Sequence, residues 1–166
     1  MTHFLAQTLF PFLLVLAGAY DFLTLRIPNW LSGLVAVSFF PMALATGLPA
    51  EAYLWHFAAG AAMLAVGFGL FAFNLFGGGD AKLLAAAGLW FGWPESMPFL
   101  AYTVLAGGVL AAAVGIWATV QMDREVRGHT WAARFFDAKP NVPYGVAIAA
   151  GVILALPDTW WLKAVG

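Results

Sequence analysis

Long apolar stretches, separated by short polar or glycine-rich segments, run through the whole chain. A membrane-spanning helix needs about 20 consecutive, mostly apolar residues. Stretches near this length recur six times, which predicts an all-α, polytopic membrane helix bundle of about six transmembrane helices, in a single domain over residues 1–166. The predicted spans are residues 4–20, 30–48, 53–76, 81–93, 98–120 and 142–156.

The predicted fourth span is short. Its residues, 81–93, rise only about 20 Å, whereas the hydrocarbon core is about 30 Å thick. It either spans with help from the preceding glycines and local thinning of the bilayer, or it re-enters on the same side.

The distribution of basic residues favours six spans. Basic residues near helix ends prefer the cytoplasm. With six spans, both termini lie on one side, which is therefore outside, and most of the Lys and Arg residues lie on the other, cytoplasmic side. These residues are Arg26, Lys82, Arg124, Arg127, Arg134 and Lys139. A re-entrant fourth segment would instead put the basic residues of the 121–141 segment outside.

Composition supports lipid as the solvent. The chain is 63% hydrophobic and only 9% charged, whereas soluble domains carry about 25% charged residues. A net charge of −1 gives no basic field that would indicate nucleic acid. The sequence contains no cysteine, which excludes disulfides, thiolate metal sites and cysteine nucleophiles. Because the first apolar stretch lacks a basic start, we interpret it as a span and not as a removed signal peptide.

Two acidic residues stand where an apolar helix meets a predicted cytoplasmic loop, Asp21 and Asp80. Six spans put both on the same side and at a similar depth, so a bundle could bring them together. Two carboxylates in one site do not both ionise easily, and they share a proton. One can then act as general base on a water while the other polarises a peptide carbonyl. The pair would titrate as a unit, so neither role is assigned to either residue.

Structural alternatives exist for both aspartates. Asp21 could end a helix and pair with Arg26, and Asp80 could cap the fourth helix or pair with Lys82. The glycine run before Asp80 counts against a purely structural role, since glycine lets a substrate backbone approach closely.

Three motifs stand out along the chain: Asp21 followed by Ile27-Pro28-Asn29, then Gly77-Gly78-Gly79-Asp80-Ala81-Lys82-Leu83, and finally Val142-Pro143-Tyr144-Gly145. Together they resemble the motifs of bacterial type IV prepilin peptidases, which are membrane aspartyl proteases with a Gly-x-Gly-Asp signature. The first two resemble the two aspartate motifs of that family, in the same order, and the third is similar to the opening of its last helix. The resemblance implies Asp21 and Asp80 as catalytic residues, with Gly77, Gly78, Gly79, Lys82, Pro28, Asn29, Pro143 and Gly145 as supporting residues.

The resemblance also implies an activity and a place. The protein would cleave the leader from pilin precursors, typically after glycine, at the cytoplasmic face of the bacterial inner membrane. Its partners would be the precursor and the lipid bilayer, without nucleic acid and without a metal or organic cofactor. Large members carry a methyltransferase region with zinc-binding cysteines, which this sequence lacks. The chain therefore looks like the short, peptidase-only form of Flp (tight-adherence) pilus systems, which does not methylate its product.

Other functions fit the sequence less well. A transporter or proton pathway needs polar residues through the bilayer, and the second, third and sixth spans hold almost none. A structural subunit of a secretion system would use the aspartates only as helix caps, a role that Asn would also fill. A zinc metalloprotease needs His-Glu-x-x-His, which is absent. Serine intramembrane proteases need a nucleophile constellation that no serine here offers, and presenilin-like proteases need more helices.

Two further groups of residues receive plainer interpretations. His3, His56 and His129 fall on different predicted loops or sides, which makes them a poor metal set and favours surface or interfacial roles. The basic and aromatic residues of the 121–141 segment favour an interfacial helix on anionic lipid over a site for the precursor's leader.

Overall fold

The computed structural model describes residues 2–93, 95–120, 142–159 and 162. These residues form six α-helices, no strand and a single 3-10 turn, Leu156–Asp158, which confirms the all-α prediction. The helices are α1 (Thr2–Thr24), α2 (Asn29–Ala45), α3 (Ala50–Ala72), α4 (Gly78–Phe91), α5 (Ser96–Val120) and α6 (Tyr144–Ala155).

The helix ends differ from the predicted ones at the glycine run. We expected the third helix to continue to Phe76, but α3 ends at Ala72 and the chain turns at Asn74, whose φ is 57°. The glycine run was expected to separate two helices, yet Gly78 and Gly79 already form the first turn of α4. The reason lies in Asp80, whose side chain accepts the backbone N–H of Gly77 and so stabilises the start of the helix.

Within the described part of the chain, three helical stretches are long and apolar enough to cross a membrane: Phe4–Thr24, Ala50–Ala72 and Ser96–Trp117. α2 and α6 are apolar but shorter. Large apolar side chains point outward from several helices, as expected for a surface in contact with lipid: Phe12, Val37, Leu54, Phe68, Val104 and Val109. A membrane helix bundle is therefore confirmed, while the number of spans stays a prediction.

The short helix α4 lies in the middle of the bundle. Ten of its 14 residues are buried, so protein and not lipid surrounds most of its length. Glycines let α3 approach it closely. A Cβ on Gly67 would lie 2.8 Å from Cα of Ala81, and one on Gly88 would lie 2.6 Å from Cγ of Met63. Small residues of this kind are what permit close packing of membrane helices.

A cluster of aromatic rings fixes the far end of α4. Trp90 stacks on Phe10 of α1 with ring centroids 4.6 Å apart, and its indole N–H donates to the Val35 carbonyl at 2.7 Å. From this contact, Asp21 lies about 16 Å further along α1, and Asp80 lies about 15 Å back along α4. The two aspartates therefore stand at nearly the same height above the cluster.

Candidate functional site

Asp21 is held at the start of α6. It lies near the end of α1, is only 4% exposed, and its Oδ2 accepts the backbone N–H of Gly145 at 2.8 Å. Gly145 belongs to the first turn of α6, where N–H groups have no partner within the helix. A Cβ on Gly145 would lie 2.8 Å from Cβ of Asp21, so only glycine fits here. The predicted last helix does begin at Tyr144, within the Pro143–Gly145 motif.

Asp80 makes the corresponding contact at the start of α4. It is the third residue of that helix and is 7% exposed, and its Oδ2 accepts the Gly77 N–H at 3.0 Å. It is therefore not the N-cap residue, a position that Gly77 holds. Its second oxygen, Oδ1, is buried without a hydrogen-bond partner anywhere in the described part of the chain. A buried carboxylate oxygen without a partner is costly unless the group is protonated or meets a ligand.

Both aspartates line one cavity of about 260 Å³. Its other walls are the connection between α1 and α2, residues 25–27, and the glycines Gly77, Gly78 and Gly79. Burial is the largest cause that raises the pKa of Asp80, the negative charge of Asp21 raises it as well, and the hydrogen bond from Gly77 lowers it; together they bring the pKa to about 7. The two carboxyl groups therefore interact within one cavity.

Glycine at position 79 brings the two aspartate-bearing segments together. A Cβ on Gly79 would lie 2.9 Å from the carbonyl oxygen of Ile27, so α4 begins directly against the connection that follows α1. This contact also explains why Ile27 is buried.

The structure adds Leu25, which the sequence did not single out. It lines the cavity and has a φ of 55°, a conformation that is uncommon for residues other than glycine. Its N–H bonds to the Asp21 carbonyl, which ends α1 at the point where the chain must turn. No feature of the sequence signals this conformation, because leucine is not the residue that it favours.

Neither aspartate pairs with the basic residue that we had considered for it. Within the described residues, no ion pair joins Asp21 to Arg26, although Arg26 lines the same cavity. Lys82 does not pair with Asp80 but donates to Oδ1 of Asn29 at 2.7 Å. Pro28 is the N-cap of α2, and Asn29 is its first helical residue. The Lys82–Asn29 bond ties α4 to α2 beside the cavity.

The aromatic residue Phe76 was also missed. Its ring lies 4.6 Å from that of Tyr144, next to Gly145. The contact connects the loop that carries the glycine run with the start of α6. The sequence gives one indication of this contact: Phe76 directly precedes the glycine run, and Tyr144 lies between Pro143 and Gly145.

Among the residues described, no group of three or more His, Asp or Glu side chains could hold a metal ion. His56 is buried, and its Nδ1 lies 2.7 Å from the Leu89 carbonyl, so the expected surface role was wrong for it. Its ring packs beside Phe39 with centroids 5.1 Å apart, which accounts for its burial in the bundle. The side chain of His3, residue His129 and the proposed interfacial helix over residues 121–141 lie outside what the structure describes.

A membrane helix bundle with two buried, interacting carboxylates in one small cavity defines a class of protein suited to acid–base chemistry. The model of the type IV leader peptidase family matches residues 8–121, a range that includes both Asp21 and Asp80. The chain belongs to this family.

Two curated relatives are similar to part of the chain. They are prepilin leader peptidase/N-methyltransferases of Burkholderia pseudomallei, strains 1026b and K96243. Each is 41% identical over 75 residues, which is 45% of this chain but only 19% of the relative. No solved structure matches the chain.

Proposed function

We propose that this protein is a membrane aspartyl endopeptidase that removes the leader from type IV pilin precursors, with Asp21 and Asp80 as its catalytic pair. The observation that carries the proposal is the single cavity lined by both carboxylates, one of which has a pKa raised to about 7. Family membership supports the reaction, and the position of both motifs at one end of the bundle supports a site at the membrane edge.

The chemistry follows from one proton shared by two carboxyl groups. The ionised carboxylate removes a proton from water while the water oxygen attacks the carbonyl carbon of the scissile peptide bond. The protonated carboxyl donates its proton to the carbonyl oxygen, which gives a tetrahedral intermediate. The C–N bond then breaks as the leaving nitrogen takes the proton that came from water, and a hydroxyl of the intermediate returns its proton to the other carboxylate, which restores the pair with one proton. The free Oδ1 of Asp80 is an atom available for these transfers.

The finer parts of the proposal concern substrate and place. The precursor is of the Flp type, its basic leader stays in the cytoplasm, and its hydrophobic helix lies in the bacterial inner membrane. The cavity faces the cytoplasm, and both termini lie outside. The product is not methylated, a point that the cysteine-free sequence supports, because the resemblance implies zinc-binding cysteines for the methyltransferase region.

Cleavage of an Flp-type precursor in liposomes tests the catalytic pair. We expect Asp21→Asn and Asp80→Asn each to lower kcat/KM by about a hundredfold or more, since loss of a general acid or base has this effect. The matched control is Glu51→Gln, an exposed carboxylate in the first turn of α3. Near wild-type cleavage by either folded aspartate variant would rule out the pair.

A structural role as helix caps is the second candidate, and one observation favours it. Both carboxylates accept a backbone N–H at the start of a helix. Asn keeps a side-chain oxygen that can accept the same bond, so the Asp→Asn variants preserve the cap and remove only the proton chemistry. Folded variants that do not cleave therefore argue for catalysis, and folded variants that still cleave argue for capping.

A further inference from the structure

A groove runs along the outside of the bundle between α2, α3 and α4. It has a volume of about 420 Å³ and extends along each helix for about two turns, for example from Asn29 to Ala36 on α2 and from Lys82 to Leu89 on α4. Exposed residues such as Gly33 and Ala61 form part of its lining, so it is open toward the bilayer.

The floor of the groove is made of small residues. Gly33, Ala36, Gly60 and Ala85 lie along it, and a Cβ on Gly33 would meet nothing within 4 Å. The space above Gly33 is therefore not filled by any residue that the structure describes. Floors of this kind let another helix approach closely in a membrane.

Ser32 provides an independent sign of a ligand. It lines the groove and is only 4% exposed, yet its Oγ has no hydrogen-bond partner among the described residues. An unpaired hydroxyl at this depth costs free energy that a partner would recover. In a bilayer, serine hydroxyls on one helix commonly bond to a neighbouring helix.

The groove begins where the catalytic cavity ends. The polar end of the groove is the Lys82–Asn29 pair. Lys82 lies two residues after Asp80, and Asn29 lies two residues after Ile27; both Asp80 and Ile27 line the cavity. Below this pair, toward the middle of the bilayer, the remaining lining is apolar except for Ser32. A chain that leaves the cavity and enters the bilayer would thus meet polar groups first and an apolar surface next.

We propose that this groove between α2, α3 and α4 binds the hydrophobic helix of the precursor, just beyond the scissile bond. The inference rests on the proposed peptidase function. A groove of two turns receives one face of a helix, which is the form that an apolar segment takes in lipid. Gly33 and its neighbours give close contact, Ser32 bonds to the bound helix, and Lys82 with Asn29 marks the point where the chain passes to the cavity.

A second groove provides the comparison. It lies between α1 and α6, has a volume of about 370 Å³ and is lined only by apolar residues, among them Ala150. It borders the Asp21 side of the site but offers no polar atom to a passing chain. Ordinary lipid chains suit such a surface, and it supplies a control for the effects of filling a groove.

The test compares two substrates and three variants. The substrates are the full precursor in liposomes and a short soluble peptide that spans the scissile bond but lacks the hydrophobic helix. Gly33→Leu adds a side chain in the proposed groove, at a position where a Cβ would meet no described atom within 4 Å. Ala150→Leu fills the second groove, and Gly108→Leu makes the glycine change at an open site on α5.

We expect Gly33→Leu to raise KM for the precursor about tenfold and to leave kcat/KM for the peptide unchanged. The two control variants leave both substrates unchanged. The proposal is overturned if Gly33→Leu spares the precursor, if Ala150→Leu has the same effect, or if peptide cleavage falls equally.

Photo-cross-linking decides the occupant without relying on cleavage. A benzophenone amino acid at position 33 is expected to capture the precursor, and one at position 108 is not. Capture of lipid alone at position 33 overturns the proposal. If the wild type cleaves neither substrate, the proposed peptidase function fails, and the cross-link still decides whether the groove binds the precursor.

Discussion

At the residue scale, each aspartate accepts one backbone hydrogen bond, and this bond helps to hold its carboxylate in place. Asp21 depends on Gly145 and Asp80 depends on Gly77, and both donors are backbone N–H groups at helix starts. Such N–H groups carry partial positive charge and stabilise a nearby carboxylate. Burial acts in the other direction on Asp80 and prevails, so that its pKa rises to about 7.

The raised pKa of Asp80 predicts the pH dependence of cleavage. A pKa above the usual value means that Asp80 keeps its proton up to about pH 7 and loses it above that. The pair then holds two negative charges and no proton to donate, so we expect kcat/KM to fall as pH rises through about 7. The measurement is cleavage of a peptide without groups that titrate in this range. Activity that rises through this range would contradict the assignment.

Substitution of Gly145 tests whether cleavage requires the present position of the Asp21 carboxylate, which Gly145 contacts. In Gly145→Ala the new Cβ would lie 2.9 Å from Oδ2 and 2.8 Å from Cβ of Asp21, so the carboxylate must move. We expect cleavage to fall about ten- to a hundredfold, because displacement of a reacting group by about 1 Å has effects of this size.

Gly115→Ala is the matched control for this substitution. It adds the same methyl group to α5, where no atom of the described residues lies within 4 Å of it. Equal activity of the Gly145 and Gly115 variants in liposomes would show that Asp21 does not require its present position.

At the element scale, α4 connects the two ends of the molecule. Its first turn carries Asp80 and its last turn carries Trp90, and α3 lies against it at Gly67 and Gly88. These contacts explain how much the sequence could predict. Apolar length indicated the helices, and the motifs indicated Asp21 and Asp80, because both signals are local. The Lys82–Asn29 bond and the contact of Gly79 with Ile27 could not be predicted, since they depend on which helices become neighbours.

Two glycines on α3 provide a matched pair for the packing of α4. A Cβ on Gly67 would lie 2.8 Å from Cα of Ala81, whereas one on Gly69 would meet nothing within 4 Å. Gly67→Ala and Gly69→Ala gain the same helix propensity, so their difference reports packing alone. We expect the Gly67 variant to be less stable by about 1–3 kcal/mol.

The measurement for this pair is the free energy of unfolding in mixed detergent. Cleavage is expected to fall with the Gly67 variant too, because Ala81 adjoins Asp80 in α4. If the two variants unfold alike, the close approach of α3 to α4 does not contribute to stability.

At the scale of the whole molecule, the directions of the helices bear on whether α4 crosses the bilayer. α5 begins beside the far end of α4, where Phe99 stacks on Phe91 with centroids 4.7 Å apart. It then runs back past Gly107, which lies near the Tyr144 ring at the cavity end. A re-entrant α4 would return the chain to the cavity side before α5 begins. The observed order therefore favours six spans, with neighbouring helices shielding the short α4 from lipid.

Labelling of introduced cysteines tests this topology, and the natural sequence, which has no cysteine, gives no background. Gly47→Cys lies between α2 and α3, Asn74→Cys between α3 and α4, and Glu95→Cys between α4 and α5. With six spans and both termini outside, an impermeant maleimide labels positions 47 and 95 in intact cells. It reaches position 74 only after the membrane is permeabilised. A re-entrant α4 instead protects position 95 together with position 74, because the two ends of α4 then share the cytoplasmic side.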